Sequence, residues 1–323
     1  MDGLKAKSDP QNESRKVGVP AQDSRVKSAG LFYLSVVYII WGSTYLAIRV
    51  AVREGSGFPP FTMGMMRLFL AGVLLLLWAA LRKMPIRPSR EEILVLVSSG
   101  LLLWTGGNGL VMWAEQRAGS GLAALIVASV PIWAALVETL IDRRVPSLRL
   151  VFALLIGFAG IGVLGVPTLR SGTRADGLAV VALMGASASW ALGSVLQSKR
   201  PVTLSPQVSA GYQSLIGGMG FALLVFVFRE PRPTPTHEAW VAWGYLVVFG
   251  SLLAFTSYVQ ALRLLPINVA MTYAYVNPVI AVMLGAVILG EPITAWTISG
   301  AVMVILGVVG VFRDRYMRNK HGS

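Results

Sequence analysis

Ten apolar stretches, each about as long as a membrane-crossing helix, run through the chain between Gly30 and Phe312. A helix that crosses the hydrocarbon core of a bilayer needs roughly 20 mostly apolar residues. Because lipid offers no hydrogen-bond partners, the backbone of each stretch must satisfy itself within a helix. The sequence therefore predicts an all-α polytopic membrane protein. We place its transmembrane helices, spans 1 to 10, at about 30–50, 61–81, 93–113, 118–140, 148–166, 177–197, 206–228, 239–262, 267–289 and 293–312.

The composition agrees with this class and excludes several kinds of chemistry. Hydrophobic residues make up 55% of the 323 and charged residues 13%, against about 25% charged in soluble domains. Cysteine is absent, which excludes disulfides, thiolate metal sites and cysteine nucleophiles. The net charge of +13 comes from basic residues that flank the apolar stretches. That placement indicates membrane topology and contact with anionic lipid rather than nucleic-acid binding.

The distribution of lysine and arginine predicts the orientation. With the N-terminus inside, 20 of the 28 Lys and Arg fall in cytoplasmic segments, seven in external segments, and Arg67 within span 2. The positive-inside rule therefore favours two cytoplasmic termini. Residues 1–29 are polar and lack the apolar core of a cleaved signal, so we expect a disordered cytoplasmic tail there. Residues 313–323 form a second cytoplasmic tail.

The second five spans repeat motifs of the first five. Residues 130–132 (Val-Pro-Ile) in span 4 match residues 277–279 (Asn-Pro-Val) in span 9, and Trp41 in span 1 matches Trp190 in span 6. Because five is an odd number, two such halves lie inverted in the bilayer, as in many secondary transporters. We predict ten transmembrane helices in two inverted five-helix repeats, the first over 30–166 and the second over 177–312.

Two prolines occupy matching places near the middle of spans 4 and 9. Pro131 and Pro278 each remove a helix hydrogen bond and free a carbonyl. Within a membrane, a freed carbonyl is tolerated where neighbours or a cavity satisfy it. We predict a pair of hinges that bend during transport. The alternative is an ordinary pair of kinks in a packed bundle.

Aromatic and polar side chains follow helical spacing along several spans. Lipid-facing positions should be aliphatic, so such stripes must face protein or water. An aromatic wall with few polar anchors is typical of a small-molecule cavity, and helix–helix packing is the alternative. The stripes are Tyr38, Trp41, Tyr45 and Arg49 in span 1; Trp104, Asn108, Met112 and Glu115 in span 3; and Ser187, Trp190, Ser194 and Gln197 in span 6. In span 9, Asn277 either binds substrate or caps the backbone broken by Pro278.

Three charged residues lie within or at the ends of spans. Arg67 is about two turns inside span 2, where a charge costs on the order of 3 kcal/mol. It therefore ties helices together or binds an anionic group of a ligand. Glu115, at the outer end of span 3, is a candidate gate carboxylate, and Glu138 is expected in an interfacial ion pair. The predicted spans hold no acidic residue at mid-depth, which argues for exchange or facilitated flux over proton coupling.

Several motifs together resemble the EamA-type transporters of the drug/metabolite transporter superfamily, especially bacterial exporters of amino acids and other metabolites. They are WGSTY at 41–45, the Arg67-containing start of span 2, GNG at 107–109, AEQ at 114–116, SGLAALIVASVPIW at 120–133 and AYVNPV at 274–279. The resemblance covers residues 30 to 312. It implies a central cavity lined mainly by spans 1, 3, 4, 6, 8 and 9. Its candidate lining residues are Trp41, Trp104, Asn108, Trp133, Trp190, Tyr273 and Asn277.

Together these features predict a secondary transporter of the bacterial inner membrane. It would export or exchange small metabolites such as amino acids by alternating access, without catalytic residues, metal or cofactor. Its partners would be a small-molecule substrate and the lipid bilayer, not nucleic acid, and it would act as a monomer or homodimer. The alternatives are an uncoupled channel or lipid scramblase, and a lipid-modifying membrane enzyme. The enzyme alternative lacks paired carboxylates, cysteine and a histidine within any span.

Overall fold

The computed structural model describes residues 21–52, 55–115, 123, 126–143, 145–170, 177–200, 202–289 and 293–321, and their regular elements are all helical. Span 1 is Ala21–Val52, span 2 Pro60–Leu81, span 5 Leu148–Arg170, span 6 Gly177–Lys199, span 7 Pro206–Phe228 and span 10 Ala295–His321. Span 3 runs through Arg90–Gly100, Leu101–Gly109 and Leu110–Glu115, and span 8 through His237–Tyr245, Leu246–Phe255 and Thr256–Leu264. Span 4 contains Val130–Asp142, and span 9 contains Ile267–Ala270 and Tyr273–Leu289.

Eight helices within the described part of the chain are long and apolar enough to cross a membrane. They are spans 1, 2, 3, 5, 6, 7, 8 and 10. Span 1 begins at Ala21, before the apolar stretch that marks it in the sequence. Spans 4 and 9 are the remaining two, and both are interrupted helices. Short or broken spans at corresponding places in two halves are a good pointer to a transporter's binding site.

The two interruptions differ in how they use proline. In span 4 a turn at residues 128–129 precedes the helix that begins at Val130, so Pro131 lies in the first helical turn. There its missing N–H is one that the helix would leave unsatisfied anyway. The expectation that Pro131 removes a hydrogen bond from inside a helix is therefore wrong, and its role as a hinge stays a prediction. Span 9 breaks at residues 271–272, and Pro278 lies inside the following helix, as predicted.

Spans 3 and 8 share a rarer feature at their middle. The backbone of Leu101–Gly109 and of Leu246–Phe255 winds as a π-helix, with a wider turn than the α-helix on either side. Long π segments are rare, and π-bulges concentrate at functional sites. Because spans 3 and 8 are counterparts in the two halves, this distortion belongs to the repeated architecture.

The helix packing has the two-fold pattern that inverted repeats require. Span 5 packs along its counterpart span 10, and span 2 along its counterpart span 7. Span 1 packs on span 9 just as span 6 packs on span 4, and span 8 packs on span 1 just as span 3 packs on span 6. The predicted fold class is therefore confirmed: an all-α membrane protein of ten transmembrane helices in two inverted five-helix repeats.

Glycines allow the closest of these pairings, between spans 5 and 10. A Cβ atom added at Gly307 would lie 2.6 Å from the Cα of Gly157, and one at Gly300 would lie 2.8 Å from the carbonyl oxygen of Gly160. Neither position admits a side chain unless the helices move apart. The glycine pattern seen in the sequence thus serves close helix–helix approach.

Candidate functional site

A cavity of about 900 Å³, including the space at its mouth, lies at the centre of the bundle. The described residues that line it come from spans 1, 2, 3, 4, 6 and 9. They are Trp41, Thr44, Ile48, Arg67, Trp104, Gly107, Asn108, Val111, Met112, Ala123, Val127, Val130, Ala186, Ser187, Trp190, Tyr273 and Asn277. In span 1 the lining runs from Trp41 toward the helix C-terminus, so the cavity occupies the half of the bundle away from the chain termini.

Aromatic rings form the central wall of this cavity. Trp41 packs edge-on against Trp190, with ring centroids 5.6 Å apart, and against Tyr273 at 5.0 Å. Trp104 lies 6.2 Å from Trp190, also edge-on. Edge-to-face pairs contribute about 0.5–1.5 kcal/mol beyond their area burial. The indole Nε1 of Trp41 donates to the carbonyl oxygen of Gly250 at 3.3 Å, which ties the wall to the π segment of span 8.

A buried tyrosine closes the cavity on the side of the termini. Tyr258 is fully buried, and its ring centroid is 5.0 Å from that of Trp41. Its hydroxyl lies 2.5 Å from Ser194 Oγ and accepts from Trp190 Nε1 at 3.2 Å. Because these bonds join span 8 to span 6 directly beneath the wall, the described residues close the bundle at this depth.

Arg67 reaches the cavity from span 2 with only 7% of its surface exposed. Its Nε donates to Ser251 Oγ at 2.7 Å, and its guanidinium carbon lies 5.5 Å from the ring centroid of Trp104. A Cβ atom added at Gly250 would lie 2.9 Å from one of its terminal nitrogens, so the glycine leaves room for the guanidinium. Among the described residues, no carboxylate lies within ion-pair distance of Arg67.

Asn277 lies in Tyr273–Leu289, the helix that follows the break in span 9, and is 1% exposed. With its amide oriented to suit both neighbours, its nitrogen donates to the carbonyl oxygens of Tyr273 at 3.1 Å and Tyr38 at 3.3 Å. These bonds brace span 9 against span 1. Asn277 also lines the cavity, as the substrate alternative requires. The carbonyl that Pro278 leaves without a helix donor is that of Ala274, and the amide of Asn277 bonds other carbonyls.

The structure gathers six of the nine predicted cavity residues around this space: Trp41, Trp104, Asn108, Trp190, Tyr273 and Asn277. Tyr38 lies outside the lining, with its hydroxyl 2.5 Å from Thr272 Oγ1. Trp133 is half-buried and also lies outside the lining. The side chains of Tyr45 and Glu115 lie outside the described residues.

Some residues of the site have only a weak signal in the sequence. Tyr258 is one of six aromatic residues in span 8, and Ser251 and Gly250 are small residues whose contacts come from span 2 and span 1. Their positions follow from the π-helical turn of span 8, which hydropathy does not reveal. Ser187 belongs to the predicted polar and aromatic stripe of span 6, and this residue does line the cavity.

An ion-pair cluster joins spans 4 and 6 at the end of the bundle nearest the termini. Lys199 Nζ lies 3.8 Å from Glu138 Oε1 and also donates to Asp142 Oδ2. The interfacial ion pair expected for Glu138 is therefore confirmed, with Lys199 as the partner. The cluster holds together two spans whose other ends border the cavity.

Comparison with known proteins places this architecture in a family. The model of the EamA-like transporter family matches residues 28–166 and 177–313, so the chain belongs to that family. The uncharacterized inner membrane transporter YedA of Escherichia coli (strain K12) is 37% identical over 295 residues, covering 88% of this chain and 90% of YedA. The uncharacterized transporter sll0355 of Synechocystis sp. is 24% identical over 288 residues, covering 84% and 86%.

A solved crystal structure has the same fold. It superposes with a TM-score of 0.76 at 18% sequence identity, over 90% of this chain and 99% of that one. Family, relatives and apolar helices together define a multi-pass transporter of the inner membrane. The names of the relatives point to transport rather than catalysis.

Proposed function

We propose that the chain is a secondary transporter that exports or exchanges small metabolites, such as amino acids, by alternating access. The observation that carries this proposal is the shape of the site. A small-molecule cavity extends from mid-bundle toward one end only, and Tyr258 with its partners Ser194 and Trp190 closes the other side. A carrier needs a central site that is accessible from one side at a time.

The inverted repeat supplies the second state. Because the two halves have the same fold in opposite orientations, exchanging their conformations would close the present cavity and open the opposite side. The lysine and arginine distribution supports two cytoplasmic termini. In that orientation the present conformation is open outward, and its partner state would load substrate from the cytoplasm.

Reconstitution into liposomes tests the carrier proposal. Liposomes that contain the purified protein are each loaded with one unlabelled solute from a panel of amino acids and other small metabolites. They should accumulate the same solute in labelled form by counterflow, with saturable rates. Trp41→Ala and Trp190→Ala should reduce that rate at least tenfold. The matched control is Trp78→Ala on the exposed face of span 2, which should leave it unchanged. Linear flux without counterflow would instead support the channel or scramblase alternative.

Fusions at the C-terminus test the orientation. A fluorescent protein attached after Lys320 should fluoresce, because this reporter matures in the cytoplasm, and alkaline phosphatase at the same place should be inactive. Active phosphatase would reverse the orientation, and with it the assignment of the present state as open outward.

A further inference from the structure

We propose that Arg67 is the anion-binding group of the cavity and that the transported molecules carry a carboxylate. This inference rests on the proposed transport function and specifies the chemical class of its substrates. It concerns a residue for which the sequence left two roles open, a structural tie or a ligand contact.

The charge balance of the cavity is the first argument. Arg67 is the one arginine, lysine or carboxylate among the described residues that line the cavity. A buried charge is costly unless it is paired and hydrogen-bonded. Among the described residues, Ser251 accepts from the guanidinium at Nε alone, which leaves the two terminal nitrogens for another acceptor. A carboxylate matches that pair of nitrogens with two parallel hydrogen bonds.

The counterpart position in the second repeat gives an independent argument. Span 2 begins at Pro60 and span 7 at Pro206. Arg67 and Gln213 each lie seven residues after that proline. Each side chain donates to a serine, and the two serines lie on counterpart helices, spans 8 and 3. Arg67 donates to Ser251 of span 8, and Gln213 donates to Ser99 of span 3 at 2.7 Å.

The two clusters differ in their second acceptor. The amide nitrogen of Gln213 also donates to Gln197 of span 6, at 2.5 Å, and Gln213 is completely buried. Counted from the matching tryptophans Trp190 and Trp41, the position of Gln197 is occupied in span 1 by Ile48. Ile48 lines the cavity and has no side-chain acceptor. Among the described side chains, the first repeat thus has no oxygen at the place of Gln197, and the cavity borders Ile48 there.

The surroundings of Arg67 indicate the rest of the ligand. Trp104, beneath the guanidinium, has an indole Nε1 without a hydrogen-bond partner among the described residues. This N–H is a further unpaired donor on a residue that lines the cavity. The remaining walls are indole and phenol rings and aliphatic side chains, which suit an apolar or aromatic body. We therefore infer small carboxylates with an apolar body, a class that includes the carboxylate end of amino acids.

Binding of a matched pair of probes tests the inference. Phenylacetate and phenylacetamide have nearly the same shape and differ in charge. Calorimetric titration of the protein in lipid nanodiscs should show phenylacetate binding about tenfold or more tightly, since hydrogen bonds to charged groups contribute about 1.5–3 kcal/mol. Arg67→Gln should abolish this preference. Arg82→Gln is the matched control: Arg82 directly follows span 2, and its guanidinium carbon lies 5.8 Å from the ring centroid of Trp78, outside the cavity lining.

A second variant keeps the charge of Arg67 but displaces its guanidinium group. Gly250→Ala places a methyl group against the tip of the Arg67 side chain, which is flexible enough to shift without unfolding the helix. The preference for phenylacetate should then fall several-fold while the protein keeps its full charge. This variant carries the test even if Arg67→Gln does not fold.

Three results would overturn the inference. The first is equal binding of acid and amide by the wild-type protein, and the second is an unchanged preference in a folded Arg67→Gln or in Gly250→Ala. The third is a strong coupling between Arg67→Gln and Glu115→Gln in a double-mutant stability cycle, which would identify a structural ion pair.

Saturable counterflow of neutral or cationic solutes alone would overturn the anion site and leave the carrier intact. Loss of counterflow for every solute would overturn the carrier itself.

Discussion

The buried cluster around Arg67 and the buried cluster around Gln213 show how two copies of one architecture come to differ. Both lie on the second helix of a repeat, and each donates to a serine on the third helix of the other repeat. The Gln213 cluster is neutral and closed. Gln197 supplies a second acceptor for the Gln213 amide nitrogen, while Gln213 Oε1 and Gln197 Nε2 have no hydrogen-bond partner among the described residues. The Arg67 cluster is charged and borders the cavity. The repeated backbone therefore provides the symmetric frame, and a few side chains provide the asymmetry that a substrate would meet.

The physical reason for that division is the cost of burial. The amide nitrogen of Gln213 donates to two oxygens, and its buried oxygen has no partner among the described residues. A closed bundle tolerates this because an unpaired neutral polar atom costs less to bury than an unpaired charge. A guanidinium in the same place needs a counter-charge or access to solvent. The cavity therefore suits the half that carries the charge. Three changes would break or sharpen this comparison.

The largest effect should come from placing the charge in the closed half. Gln213→Arg would bury a cation next to Gln197 and Ser99 with no carboxylate in the described cluster, at a cost of about 3 kcal/mol or more. We expect a large fall in the melting temperature of the purified protein. Gln213→Met, of similar volume and neutral, is the control and should cost about 1–3 kcal/mol. Equal melting temperatures for the two variants would mean that the two clusters do not differ in their tolerance of charge.

A smaller effect should follow from weakening the closed side of the cavity. Tyr258→Phe removes the hydroxyl that Ser194 and Trp190 contact, at a cost of about 1–2 kcal/mol. We expect faster hydrogen–deuterium exchange in peptides around residues 190–197, with the region around Arg67 unaffected. Tyr212→Phe is the matched control, since it removes a bond to the carbonyl oxygen of Ile86 away from the cavity. Unchanged exchange around Ser194 would show that the hydroxyl does not hold this side closed.

The smallest effect on stability should come from the two prolines. Pro278→Ala restores a backbone donor inside a helix, whereas Pro131→Ala restores one in the first turn, where the helix does not use it. Both variants should fold. If the prolines are hinges, counterflow should slow, and more for Pro278→Ala than for Pro131→Ala. Normal rates in both variants would leave the hinge prediction without support.

Much of the fold follows from local pattern. The apolar stretches mark the spans because each is read from its own composition, and the repeated motifs around Pro131 and Pro278 reveal the duplication. The broken helix of span 4 was missed because a proline in an apolar stretch does not show whether it lies in the first turn of a helix or in its interior. The π segments were missed because they leave hydropathy unchanged.

The cavity was predicted in outline and not in detail. Trp41, Trp104 and Trp190 stand out in the sequence because indoles at mid-depth are unusual in a membrane helix. Tyr38, predicted from the stripe of span 1, and Trp133, predicted from the family resemblance, lie outside the lining. A stripe shows which residues share a face and not which face meets the cavity. Tyr258 shows the converse: its role depends entirely on partners from spans 1 and 6.

The sequence by itself determined the helical membrane class, the duplication and the aromatic character of the site, because hydropathy and repeated motifs are properties of consecutive residues. The tertiary structure alone decided which side of the bundle is closed and which buried polar groups find partners. Those facts depend on distances between helices that are far apart in the chain. Arg67 illustrates the difference. Its burial was foreseeable from span 2, but its serine partner, the indole beneath it and the cavity beside it appear only when spans 1, 3 and 8 pack around it.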